Sequence, residues 1–104
     1  MRIFVDIDGT LTNSPESPWG EPRQDMIQKV KCLALREDVE LVLWSGTGSE
    51  YAKEFAAKYD IQAFACLGKP HLLVDDNPYI RPLGSMPILS PGDFLKKDFD
   101  GARP

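Results

Sequence analysis

The stretch Ile3-Phe4-Val5-Asp6-Ile7-Asp8-Gly9-Thr10-Leu11-Thr12 decides the fold. Three apolar residues lead into two aspartates separated by one residue, and a glycine then breaks the pattern. A short apolar, β-branched run closed by Gly reads as a buried strand, here over about 2–7. Alternation along a strand has period two, so Asp6 and Asp8 are expected on the same side at its end. Two carboxylates that close repel one another and cost desolvation energy, so a fold keeps them only with compensation. A hard divalent cation such as Mg²⁺, which takes oxygen ligands, is the usual compensation. For a lone Asp-x-Asp the plain alternative is an Asp-rich turn after a strand.

Working outward, three further signals occur in order: Leu41-Val42-Leu43-Trp44-Ser45-Gly46-Thr47, then Gly68-Lys69-Pro70, then Leu72-Leu73-Val74-Asp75-Asp76-Asn77-Pro78. Each polar group sits at the end of an apolar run or just before one. In an open α/β sheet, ligands and chemistry gather at the carboxyl ends of the strands. Four such ends would bring Asp6, Asp8, Ser45, Lys69, Asp75 and Asp76 together.

With these residues in place, the sequence resembles the haloacid dehalogenase (HAD) superfamily of phosphohydrolases. That family carries an Asp-x-Asp-Gly-Thr motif, a Ser or Thr ending the second strand, a Lys, and a paired acidic motif ending a later strand. All four occur here in order over residues 3–78, about three quarters of the chain. The resemblance implies a Mg²⁺-dependent phosphatase that hydrolyses phosphate monoesters through an aspartyl-phosphate. Asp6 would attack phosphorus, a form of covalent catalysis open to carboxylates. Asp8 would protonate the leaving oxygen and then take a proton from the water that cleaves the intermediate. Its backbone carbonyl would also bind the metal. Ser45 would hydrogen-bond a phosphoryl oxygen, helped by the amides of Gly46 and Thr47 near a helix N-terminus. The bland role for Ser45 is a plain N-cap or turn serine. Lys69 would neutralise charge on Asp6 and the phosphoryl group as a point charge; the bland role is a surface lysine in a turn. Asp6, Asp8, Asp75 and Asp76 would form the metal set. Asp75 and Asp76 are adjacent and face opposite ways on a regular strand. One of them ligates directly and the other acts through water or the lysine, and the family pattern favours Asp76 as the inner ligand. The bland role for that pair is an Asx turn before Asn77-Pro78. Thr10 and Thr12 are expected to support the loop by hydrogen bonds.

The remaining elements fit around these motifs. Residues 13–23 hold three prolines and a glycine, so they read as a loop. A helix is expected over about 25–36, with Met26, Ile27, Val30, Leu33 and Ala34 on its apolar face. The second strand is expected over about 39–44 with Trp44 in the core, and a second helix over about 48–59. Thr47 followed by Glu50 fits a capping box there, and Tyr51, Phe55, Ala56 and Tyr59 supply the apolar face. A third strand is expected over about 61–66, a fourth over 71–75 beginning at His71, and a weak fifth over 86–89 with Pro87 at an edge. Pro78 and Pro82 leave no room for a regular helix between the last two strands. A short helical turn through Phe94 and Leu95 precedes a tail, 96–104, expected to fray. Strands alternating with helices imply an α/β fold with a parallel, doubly wound sheet. The resemblance adds a Rossmann-like three-layer sandwich with strand order 5-4-1-2-3.

The chain has 104 residues, 42% hydrophobic and 27% charged, the size and composition of one globular domain, 1–104. The net charge of −4 argues against broad nucleic-acid or anionic-membrane binding, which needs a basic face. Cys32 and Cys66 lack Cys-x-x-Cys spacing and are expected as buried free thiols. There is no membrane-length apolar span, and only three apolar residues separate Arg2 from Asp6, so no signal peptide is expected and the cytoplasm is the default. Trp19, in the Pro-rich loop, is a candidate to cover the site or pack locally.

Family members often carry a cap domain that selects the substrate. One cap position falls in 13–23, here only a short flap-like loop; the other lies between Ser45 and Lys69, where one helix and one strand fill the space. The chain therefore resembles a capless member. Such an open site takes a large substrate, relies on a partner or a homo-oligomer to close it, or acts loosely on small phosphates. The partner is a phosphorylated substrate whose class the shared core leaves open. Two other readings compete. A signalling receiver domain uses similar residues but places its acidic pair on the first strand and its Lys last, so the order argues against it. The alternative is a catalytically inactive, HAD-like metal- or phosphate-binding module; that no motif residue is substituted argues against it, and metal and phosphate binding without turnover would support it.

Overall fold

β1 (Arg2–Asp6) and β2 (Glu40–Ser45) pair in parallel, with Ile3 opposite Leu41, Val5 opposite Leu43 and Asp6 opposite Trp44. Parallel strands need a crossover, and an amphipathic helix supplies it. That helix is α1 (Gln24–Ala34), which buries Ile27 and Val30 one turn apart. A second crossover, α2 (Ser49–Tyr59), buries Ala52, Phe55 and Ala56 and leads to β3 (Ala65–Gly68). β3 joins the other edge of β2 in parallel, so the sheet order is β1-β2-β3. These elements belong to a computed structural model that describes residues 1–16, 18, 20–76 and 88–96. The expectations for Trp19, the prolines at 78 and 82, and the tail beyond 96 lie outside the described residues.

Side-chain alternation assigns the two faces of this sheet. Leu41 and Leu43 enter one core cluster with Ile7, Leu11, Ile27, Val30, Ala52, Phe55, Ala56 and Ile61. Both helices contribute to that cluster, so both cover the same face. The other face carries Phe4, Val42, Trp44 and Leu67. Trp44 is half-buried there, with its ring edge-on to Phe4 at 4.7 Å between centroids. Trp44 therefore lies outside the core cluster, contrary to expectation. Its register partner Asp6 fixes it on the opposite face from Leu43.

The chain divides into two compact units, Met1–Lys69 and Pro70–Pro104. The second contains β4 (Leu73–Val74) and β5 (Ile88–Leu89), paired in parallel, and α3 (Pro91–Lys96). Ser90 caps α3 by accepting the Asp93 N–H at 3.1 Å, and Pro91 takes the first helical position, where no amide is needed. β4 is shorter than expected, and His71 sits in an exposed bend before it rather than starting it.

The third strand starts four residues later than its apolar pattern suggests. α2 ends with Asp60 in the left-handed conformation at φ 55°. The Ile61 N–H then bonds the Ala56 carbonyl at 2.9 Å and the Asp60 N–H bonds Ala57 at 3.4 Å, a Schellman closure. Ile61 is consumed by this closure and by the core, so pairing begins only at Ala65. Cys32 also departs from expectation: it is exposed on the outer side of α1, within 3.6 Å of Gln28 Nε2. Among the described residues, no helix is long and apolar enough to cross a membrane.

Candidate functional site

The three parallel strands end side by side, and each leads into a polar group. β1 ends in Asp6, β2 in Ser45, and Lys69 comes directly after β3. Register keeps these ends level: Ser45 pairs with Gly68, and the Lys69 N–H donates to the Ser45 carbonyl at 2.9 Å. Asp6, Asp8, Ser45, Gly46, Thr47 and Lys69 line one open cleft of about 380 Å³, together with Pro15. Six of the eight site residues expected from sequence are thus gathered in the first unit.

The segment after β1 rolls into a tight turn. The amides of Thr10, Leu11 and Thr12 all converge on the Ile7 carbonyl at 3.1, 2.8 and 3.2 Å. Ile7 is fully buried, while Asp6 and Asp8 on either side of it are partly exposed. The period-two expectation therefore holds even though the strand itself stops at Asp6. Within the turn, Thr10 Oγ1 donates to Asp6 Oδ2 at 3.1 Å. Lys69 Nζ reaches Asp6 Oδ1 at 2.9 Å. The two contacts hold both oxygens of one carboxylate from opposite sides and fix its orientation.

Asp8 is held from a different element. Tyr51, in the first turn of α2, donates its hydroxyl to Asp8 Oδ1 at 2.7 Å. Sequence reasoning assigned Tyr51 to the apolar face of the helix and missed this role. The available signal was its phenol: a partly buried Tyr hydroxyl finds a polar partner.

Ser45 is 2% exposed. Its Oγ accepts the Thr47 N–H at 3.0 Å, leaving the hydroxyl proton as the donor it can offer. The Thr47 amide is thereby engaged inside the turn, contrary to the expectation that it serves a bound phosphate. The expected capping box is also absent. α2 is capped at Gly48, which has no side chain to make a cap bond, and Glu50 lies 3.4 Å from Lys53 instead.

The described residues of 13–23 carry more backbone pairing than a plain loop. Thr12 and Pro22 form an antiparallel bridge. The Asn13 N–H bonds the Glu21 carbonyl at 2.9 Å, and the Arg23 N–H bonds Leu11 at 2.8 Å. Thr12 Oγ1 accepts the Gly9 N–H and donates to the Ser14 carbonyl, each at 3.2 Å. The two legs cross so closely that a Cβ on Gly20 would lie 2.6 Å from the Thr12 Cβ. Only glycine fits that crossing.

Asp75 and Asp76 come after β4 in the second unit, Asp75 partly buried and Asp76 exposed. Among the described residues, no group of three or more His, Cys, Asp and Glu side chains gathers to hold a metal ion. The donors present nevertheless suit Mg²⁺. Asp6 and Asp8 are hard oxygen ligands on one cleft, and an ion that keeps several waters needs few protein ligands. No family model matches the chain, and comparison with curated proteins and with solved structures likewise yields no match.

Proposed function

We propose that the protein is a Mg²⁺-dependent phosphomonoester hydrolase of the HAD type, working through an aspartyl-phosphate on Asp6. The observation that carries this reading is the Asp6 carboxylate at a strand end, clamped between Lys69 and Thr10, in one cleft with Asp8 and Ser45. Positioning and positive charge are what phosphoryl transfer asks of a protein.

Asp6 attacks phosphorus while the bond to the leaving oxygen breaks, and Asp8 gives that oxygen a proton. Water then attacks the phosphorus of the acyl phosphate, Asp8 takes the water proton, and the bond to Asp6 breaks to release inorganic phosphate. Tyr51 steadies Asp8 through both steps, and Lys69 and Ser45 meet the phosphoryl oxygens. Asp6 and the Asp8 backbone carbonyl would hold the ion, which would supply further positive charge near the phosphoryl group. Asp75 and Asp76 enter as metal ligands on the resemblance alone, as do the capless three-layer architecture and the strand order 5-4-1-2-3.

The test is hydrolysis of p-nitrophenyl phosphate with and without Mg²⁺ by the native chain and by Asp6→Asn. This swap keeps the shape and removes the nucleophile. Mg²⁺-dependent turnover that vanishes in Asp6→Asn supports the proposal. Turnover unchanged in Asp6→Asn removes Asp6 from the mechanism. Binding of Mn²⁺ and inorganic phosphate without any turnover points to the binding-module reading, and loss of Mn²⁺ affinity in Asp76→Asn assigns that residue to the metal.

A further inference from the structure

A second cleft of about 200 Å³ is lined by Thr12, Pro18 and Gly20 of the 12–22 hairpin and by the edge of α2 that borders its core-facing side. Its lining includes Tyr51, Glu54, Phe55, Lys58 and Tyr59, spaced at one helical face, with Pro18 from the hairpin. Tyr51 links the two clefts: its hydroxyl bonds Asp8, which lines the first cleft, while its side chain lines the second. If Asp8 protonates the leaving oxygen, the rest of the leaving group emerges beside Tyr51. We propose that the second cleft is the leaving-group subsite and that it takes a single hydroxylated ring of monosaccharide size. This inference rests on the phosphatase reading above.

Size argues for one ring. A cavity of about 150 Å³ holds benzene, so a cleft of about 200 Å³ has room for one six-membered ring with its substituents. Chemistry argues for hydroxyls. Tyr51 and Tyr59 give the lining apolar ring surface beside polar groups, which suits a ring that carries both C–H and O–H groups. Lys58 Nζ stands 5.4 Å from the centroid of the Tyr59 ring, so ammonium and ring act as one surface. Glu54 and Lys58, four residues apart, offer an acceptor and a donor, and among the described residues neither is in an ion pair. A purely apolar ring would desolvate both charges without satisfying them. A second phosphate would meet the Glu54 carboxylate. The Thr12 hydroxyl is already committed to Gly9 and Ser14 and is not counted among the recognition groups.

The test monitors amide NMR shifts of the native chain with Mg²⁺ on adding inorganic phosphate, a hexose 6-phosphate, phenyl phosphate or adenosine 5′-monophosphate, alongside turnover of each ester. Inorganic phosphate is expected to move amides of the first cleft, Ser45, Gly46 and Lys69 among them, and none of Glu54 and Lys58. The hexose phosphate is expected to move these and also Tyr51, Glu54 and Lys58, and to bind roughly 5-fold less well, relative to inorganic phosphate, in Glu54→Ala. Turnover without shifts on α2, or tighter binding of the phenyl or adenosine ester, overturns the subsite and leaves the phosphatase reading intact. Shifts on α2 without turnover overturn the phosphatase reading, and with it the leaving-group role, and leave a cleft that only binds the sugar ring. Neither shifts nor turnover overturns both.

Discussion

Gly48→Ala is the substitution whose cost the backbone sets most directly. Gly48 has φ 128° and ψ 171° at the N-cap of α2. Residues with a side chain essentially do not adopt this region, and holding one there costs about 1–3 kcal/mol. A Cβ at Gly48 meets nothing within 4 Å, so no steric term adds to the backbone term. Relief by rotation is opposed locally: the Gly48 N–H bonds the Ser45 carbonyl at 3.1 Å, and the Gly48 carbonyl accepts the Ala52 N–H at 3.2 Å. For a domain of this size, 1 kcal/mol moves Tm by about 4–8 °C, so the expected loss is roughly 5–20 °C. Gly46→Ala is the matched control, two residues away. Gly46 has no positive φ and an equally open Cβ position. There the change removes unfolded-state entropy and is expected to be neutral or to stabilise by up to about 1 kcal/mol. Thermal unfolding followed by circular dichroism compares the three chains. Equal Tm values for Gly48→Ala and Gly46→Ala would refute the reasoning.

Lys69→Met separates chemistry from stability. The Lys69–Asp6 pair is partly solvated, with side chains 35% and 30% exposed, so its loss is expected to cost about 0.2–1 kcal/mol of stability. Loss of a charge aimed at the phosphoryl group is expected to lower kcat by about 10²–10³, and turnover within tenfold of native would count against that role. Burial pushes the Cys66 thiol above its ordinary range, with Lys53 opposing weakly, while Cys32 is exposed. At pH 8 a thiol reagent should therefore label Cys32 first, and equal rates at the two sites would contradict the burial. The folded chain keeps the Cys66 proton to higher pH than the unfolded chain. Stability from this group is thus full below about pH 8.5 and falls as pH rises beyond it. A native chain that loses no more stability than Cys66→Ala between pH 8 and 10 would contradict that sign. Gly20→Ala forces Thr12 and the hairpin legs apart. It is expected to weaken hexose phosphate binding more than inorganic phosphate binding, and equal effects on both would leave the hairpin without a part in the second cleft.

The strand–helix alternation of residues 1–69 was legible because its apolar positions repeat at the periods that burial imposes. β1, α1, β2 and α2 lie within about two residues of their expected bounds. β3 was misplaced because Ile61 and Ala63 alternate like a strand, yet Ile61 closes α2 and fills the core from outside the sheet. A left-handed Asp at position 60 is a backbone choice that composition does not announce. The capping box failed for a similar reason: Thr47 precedes Gly48, and the glycine takes the cap through its φ. In the site, the residues whose polarity is conspicuous at strand ends were legible, namely Asp6, Asp8, Ser45 and Lys69. Tyr51 was hidden because its ring satisfies the helical pattern while its hydroxyl serves Asp8, which lies 43 residues away in sequence.

The central claim is that Asp6 becomes phosphorylated. Mass spectrometry of the acid-quenched native chain after a brief incubation with p-nitrophenyl phosphate and Mg²⁺ tests it most directly. The account predicts one added phosphoryl group on the peptide bearing Asp6, labile to hydroxylamine and absent from Asp6→Asn. A phosphoryl group on another residue, or turnover with no covalent adduct under conditions that trap acyl phosphates, would contradict it.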